Sequence, residues 1–271
     1  VNAFIYFLGG SLAPLVYDLS LISLSNKHEF DKDAENRLHP LLTSCPYHEY
    51  WKVDSPLSWR GVLCGRFTLD LTSDTLAQVF GIIKPGDFKF ESYNIAPSQS
   101  VPVIHFDNQR EKELSMMQWG FIATWAKNVK DGPRPINARL ETISENAFFK
   151  GAFQRRRCLI PASGFYEWDQ KTTPKQPYYF YQKNEPLFAF AGIWNYFDEE
   201  AENILSFTLI TKAAEASVTP VHNRMPFVLN KDDYPSWLNE GNLPDRCPPL
   251  ASRPVSLEVN SPKNNTVSLI Q

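Results

Sequence analysis

The sequence predicts an α+β domain that is mainly antiparallel β, curled into a barrel or two packed sheets, with a few peripheral helices. Three observations predict it. From residue 64 onward, short segments of β-branched and aromatic residues alternate with Pro, Gly, Asn and Asp, the pattern of strands joined by turns. Helical periodicity is confined to a few brief stretches, too few to supply the crossovers of a parallel sheet. Aromatic residues make up 14% of the chain, material suited to a pleated core.

Taken in order, "RFTLDL" (66–71) alternates apolar and polar residues as a half-buried strand does. Ser73 and Asp74 follow, placed to cap a short helix with Leu76, Val79 and Phe80 on one face. Further strands are expected in "VPVIHF" (101–106), "LSMMQWGFI" (114–122), "RRCLIPASGFYEW" (156–168) and "PYYFYQK" (177–183). "LFAFAGIWNYF" (187–197), "ILSFTLITKAA" (204–214) and "NRMPFVL" (223–229) complete the set. Two more helices are expected, at Thr142–Phe149 and Lys231–Leu238. These segments make one domain, residues 64–271, of ordinary size.

Residues 1–63 read differently. The apolar opening "VNAFIYFLGGSLAPLVYDLSLISL" is broken by Pro14 and Asp18 and has no basic start, so it fits neither a signal peptide nor a membrane span. A charged stretch follows, with a short helix expected near Lys32–Leu42. The expectation is a leader or extension outside the functional domain, on a cytoplasmic chain that does not engage membranes. The chain's 4 cysteines (Cys45, Cys64, Cys158, Cys247) have no CxxC spacing, which points to a reducing compartment and to neither a zinc site nor a disulfide framework. With a net charge of −3 and pI near 6.0, no overall basic field marks a nucleic-acid binder. A local basic groove is compatible with that balance.

Segments with more polar residues than a β core needs are "CGRF" (64–67), "PINARLET" (135–142), "PASGFYEW" (161–168) and "TPVHNRMP" (219–226). Each sets a reactive side chain beside Pro, Gly or a strand end, where functional loops are presented. Together they offer the Cys64 thiol, Asn137, Arg139, Glu167, His222 and Arg224. Glu167 lies between Tyr166 and Trp168, an apolar setting that raises a carboxyl pKa toward neutrality. His222 is the natural second proton carrier. Arg66, Arg139 and Arg224 can engage phosphates, and Asn137 can hold a substrate oxygen. Trp125, in a Lys-containing loop, can stack on an unpaired base, whereas Trp119 reads as core. His105 reads as an ordinary strand residue and Cys158 as a buried one.

The ordered motifs CGRF, YNIAP (93–97), WGFIATW (119–125), INARLET (136–142), CLIPASGFYEW (158–168) and HNRMP (222–226) resemble the SOS response-associated peptidase family. Several motifs in the right order are far more specific than any one alone. The resemblance runs from Cys64 to near the C-terminus and leaves residues 1–63 without a counterpart. It implies a barrel-like fold and a protein of the DNA damage response that links covalently to abasic sites in single-stranded DNA; the chain is further expected to be a monomer, and no ligand spacing calls for a metal or organic cofactor. Peptidase and abasic-site lyase activities are also implied. By motif match, Cys64, Asn137, Glu167 and His222 would be its catalytic residues. Arg66, Arg139 and Arg224 would be its DNA contacts, with Trp125 added from its setting.

The chemistry requires a free α-amine on Cys64, because an amine and a thiol on one residue can close a thiazolidine on an aldehyde at high effective concentration. A peptide bond from Leu63 removes that amine. The favoured expectation is that the functional protein starts at Cys64, with Leu63 standing where the initiator methionine belongs. The runner-up is a thiol autopeptidase that releases its own leader, with Cys64 as nucleophile and His222 as base. A third reading is a non-catalytic single-strand binder that retains the extension.

Overall fold

The computed structural model describes residues 64–83, 86–126, 129, 132–199 and 202–271. The helix expected near Lys32–Leu42 lies outside the described residues.

Strands form where the alternation is strongest: β1 (Phe67–Thr72), β3 (Ser100–Phe106), β4 (Lys112–Trp119), β6 (Arg157–Ala162), β7 (Gly164–Trp168) and β8 (Pro177–Tyr181). The two longest are β9 (Phe188–Glu199) and β10 (Glu202–Ala213). The order β10-β4-β3-β6-β9 closes on itself, because β9 also pairs with β10. Closure leaves these five strands without an open edge. One seam is parallel, with Ser206 opposite Gln118; the other seams are antiparallel. The fold is therefore a mixed barrel with few helices, as the segment pattern predicts.

A second sheet, β13 (Ala251–Pro254)-β8-β7-β1-β2 (Lys89–Ile95), packs beside the barrel. Phe67 makes edge contacts with Trp119 at 5.2 Å and Phe190 at 5.7 Å, joining the two layers in one core. Burial of large side chains of this kind is the main stabilising term. Trp119, His105 and Cys158 are all buried in strands or their ends, in keeping with their reading as structural residues. The other face of this sheet holds a smaller cluster of Tyr166, Tyr179, Val255, Val259 and Leu269. Covering it are two 3-10 turns, Leu257–Asn260 and Val267–Ile270.

Three strands escaped the alternation pattern: β2 and the shorter β13 and β5 (Asn137–Arg139). β5 lies parallel to β10, with Asn137 opposite Leu209 and Arg139 opposite Thr211. Beyond Leu209, β9 and β10 diverge. The segment carrying β11 (Arg224–Pro226) and β12 (Val228–Leu229) fills the fork, β11 on β10 and β12 on β9.

The helices are α1 (Ser73–Thr75, continuing as a π turn, Leu76–Phe80), α2 (Lys150–Arg155) and α3 (Tyr234–Glu240). Thr72 rather than Ser73 caps α1, accepting from the Thr75 N–H. The helix expected at Thr142–Phe149 is a run of turns, and the regular helix starts only at Lys150. The Asn146 side chain accepts the Phe148 N–H at 2.9 Å, an Asx turn that competes with helical hydrogen bonding. The helix expected at Lys231–Leu238 is present as a 3-10 turn, Lys231–Asp233, leading into α3. Among the described residues, no helix is long and apolar enough to cross a membrane.

Candidate active site

β1 and β7 run antiparallel, with Phe67 opposite Phe165, and the Tyr166 N–H donates to the Arg66 carbonyl at 3.0 Å. Just ahead of β1, Cys64 comes within reach of the Glu167 side chain on β7. The backbone nitrogen of Cys64 donates to Oε1 of Glu167 at 2.7 Å. Both residues are buried, Cys64 at 0% and Glu167 at 2% exposure. Cys64 has φ of +40°, a region costly for a residue with a Cβ and one that recurs at functional positions.

Burial pushes the Glu167 pKa up to about 8, against the pull of the Cys64 and Trp168 N–H groups. The same burial, reinforced by the Glu167 charge, pushes the Cys64 thiol well above its ordinary range. The pair therefore holds its protons at neutrality: a neutral thiol beside a carboxyl poised to give or take a proton.

His222 closes a turn in which its N–H donates to the Val218 carbonyl at 3.0 Å. Lys171, in the β7–β8 connection beyond Glu167, donates to the Pro220 carbonyl at 3.1 Å and moors that turn. Nδ1 of His222 lies 3.1 Å from the Arg224 backbone nitrogen and 3.3 Å from the Arg224 carbonyl, so the ring finds a backbone partner in either tautomer. Burial, and then the charges of Lys175 and Arg224, lower its pKa against the Arg224 backbone contact.

Asn137 and Arg139 are two residues apart on β5 and share a face, the first half-buried and the second exposed. Across β10, Arg224 is fixed: Nη2 donates to Glu141 Oε2 at 3.0 Å and to the Thr211 carbonyl at 2.9 Å. Glu141 is held below the usual carboxylate range chiefly by Arg224. The expected residues thus fall into a directly bonded pair, Cys64 and Glu167, and a second group around the end of β10. His222 hydrogen-bonds Arg224 rather than the cysteine.

Arg66 and Trp125 occupy different settings. Arg66 is 8% exposed. Its guanidinium donates to Asn94 Oδ1 at 2.9 Å and the Val259 carbonyl at 2.8 Å. Trp125 is 65% exposed and meets Phe148 edge-on at 5.5 Å. It borders a shallow apolar cleft with Ile122, Pro133 and Phe148. Reading the segments one by one missed Glu141 and Asn94, although INARLET and YNIAP contain them. Their roles depend on partners far away in sequence.

The fold is thus a closed mixed barrel flanked by a sheet that sets a buried cysteine nitrogen on a buried carboxyl. The chain belongs to the SOS response associated peptidase (SRAP) family, whose profile matches residues 63–262. It is 37% identical over 228 residues to abasic site processing protein YoqW of Bacillus subtilis, covering 77% of this chain and 99% of that protein. It is 29% identical over 214 residues to abasic site processing protein HMCES of Xenopus tropicalis, covering 65% of this chain and 64% of that protein. Among solved structures, a protein from Bacteroides thetaiotaomicron aligns with a TM-score of 0.67 at 23% identity, covering 77% of this chain and 99% of that one. At that identity the likeness concerns the fold alone.

Proposed function

We propose that this protein processes abasic sites in single-stranded DNA by covalent capture on Cys64, in a form whose Cys64 nitrogen is a free α-amine. The observation that carries the reading is the 2.7 Å contact between that nitrogen and Glu167. The names of the YoqW and HMCES relatives supply the substrate class.

The open abasic sugar presents an aldehyde. The Cys64 amine adds to its carbon, Glu167 relays the proton from nitrogen toward oxygen, and water leaves to give an imine. The thiol then adds to the imine carbon and its proton passes to nitrogen, closing a thiazolidine. The net change is loss of one water. A thiol that stays protonated suits this order, amine first and sulfur second.

His222 assists at the sugar oxygen, and Asn137 orients the reacting atoms. Arg139 and Arg224 contact phosphates, and Arg66 adds its charge from beneath the site. Trp125 stacks on a base flanking the lesion. The missing base spares the protein the cost of extruding one.

Cys64→Ser tests this directly. It keeps the amine but lacks the sulfur, so DNA binding should persist while the heat-stable adduct disappears. An undiminished adduct would refute the assignment.

The same hydrogen bond supports a second reading. With Leu63 attached, Glu167 faces the leaving nitrogen of the Leu63–Cys64 peptide bond, where an acid would assist self-release of the leader. That reading requires loss of residues 1–63 from the wild type and their retention in Cys64→Ala.

A further inference from the structure

We propose that Asn94 and the C-terminal strap, residues 256–271, form a positioning device that holds the Cys64 nitrogen on Glu167. Its catalytic consequence rests on the covalent reading above; the positioning itself does not. Asn94 is 1% exposed. Its Nδ2 faces three strap carbonyls, Val259 at 3.1 Å, Ser261 at 2.9 Å and Asn264 at 2.8 Å. Its Oδ1 accepts from Arg66. The guanidinium of Arg66 reaches the strap as well, at the Val259 and Asn260 carbonyls. One buried amide therefore ties the strap to a residue two positions from Cys64.

The strap grips the opposing strand too. Trp168 Nε1 donates to Asn260 Oδ1 at 2.7 Å, and Tyr166 packs with Val259 and Leu269. Successive side chains on a strand face opposite ways. Locking Tyr166 and Trp168 on one face sends Glu167 to the other, where it meets Cys64. The strap thus fixes both partners from the far side of the sheet. Removing Asn94 would take one acceptor from the Arg66 guanidinium and one donor from each of three strap carbonyls, a change felt first along β1 and β7.

The test is amide hydrogen exchange on the full chain, where the Cys64 N–H reports its bond to Glu167. Asn94→Ala should speed Cys64 exchange by about 10-fold or more. The barrel amides of Ala191 and Leu209, bonded to the Phe227 and Ile136 carbonyls, should keep wild-type rates. Asn260→Ala, an exposed change that removes only the Trp168 acceptor among these contacts, should act in the same direction and more weakly; it also serves if Asn94→Ala does not fold. Unchanged Cys64 exchange in the folded variants would overturn the proposal. So would acceleration shared equally by Ala191 and Leu209, which would mean general loosening.

In a form starting at Cys64, the same variants should slow adduct formation at saturating abasic oligonucleotide with affinity unchanged. If the wild type forms no adduct while Cys64 exchange still responds to Asn94→Ala, the covalent reading fails and the positioning device stands.

Discussion

The Cys64 nitrogen and the Glu167 carboxyl meet at 2.7 Å across the β1–β7 ladder, in a site closed to solvent. The contact is to the nitrogen rather than the sulfur; in the proposed form with a free Cys64 α-amine, the carboxyl would manage the protons of that amine, as imine formation requires. The raised thiol pKa points the same way.

Glu167→Gln retains a hydrogen-bond acceptor for Cys64 but cannot move a proton. Adduct formation by the Cys64-initiated protein should slow by about 100-fold or more, with affinity for an abasic oligonucleotide held within a few-fold. Single-turnover rates beside equilibrium binding separate the two effects. Equal rates for variant and wild type would remove Glu167 from the chemistry.

The raised Glu167 pKa also makes stability depend on pH. Below about pH 4.5 both folded and unfolded chains hold the proton; between there and about 8 only the folded chain keeps it. Its contribution is therefore fully present at low pH and is lost as pH rises across that window. Urea midpoints for the full chain should fall less between pH 5 and pH 8 in Glu167→Gln than in the wild type. Parallel pH curves would show that Glu167 titrates normally.

Arg139 is exposed at the end of β5, while Arg224 is already anchored by Glu141 and Thr211. Arg139→Ala should weaken single-stranded DNA binding and reduce the salt slope by about one phosphate's worth. Glu141→Ala should disturb the reaction more than the salt slope, because it releases a guanidinium that is already present. Binding isotherms at several salt concentrations check both outcomes.

Trp125 projects into solvent, so Trp125→Ala should leave thermal stability near wild type. Loss of a stacking platform should cost about 1–3 kcal/mol of single-stranded DNA affinity. Unaltered affinity would assign the exposed ring to some other contact.

Inside the barrel, a Cβ at Gly192 would lie 2.2 Å from Ile160 Cδ1 and 2.9 Å from the Thr208 carbonyl. The carbonyl belongs to the paired strand β10 and cannot move cheaply. Gly192→Ala should destabilise the fold by about 1–3 kcal/mol, read as a lower urea midpoint.

The strands with strong alternation were legible in the sequence, and so was the apolar setting of Glu167 between Tyr166 and Trp168. The segments that were not legible owe their structure to distant partners. β5 has three residues and forms because β10 offers it an edge. Phe148 and Phe149 look helical locally, but their rings join Phe121 in an aromatic cluster while Asn146 turns the chain. Arg66 reads as a surface cation beside Cys64; only the returning C-terminus reveals that it is buried on Asn94 and Val259. Pairings between segments that are not neighbours in sequence leave no periodic trace.

The most direct test of the central claim is intact-mass analysis after mixing with an abasic single-stranded oligonucleotide. It compares the 271-residue chain with a protein that starts at Cys64 after methionine removal. The account predicts a stable adduct, one water lighter than the sum of its parts, on the protein with the free Cys64 amine, and on the long chain only after release of residues 1–63. No adduct on the Cys64-initiated protein, or an equal adduct on a long chain that still carries its leader, would contradict it.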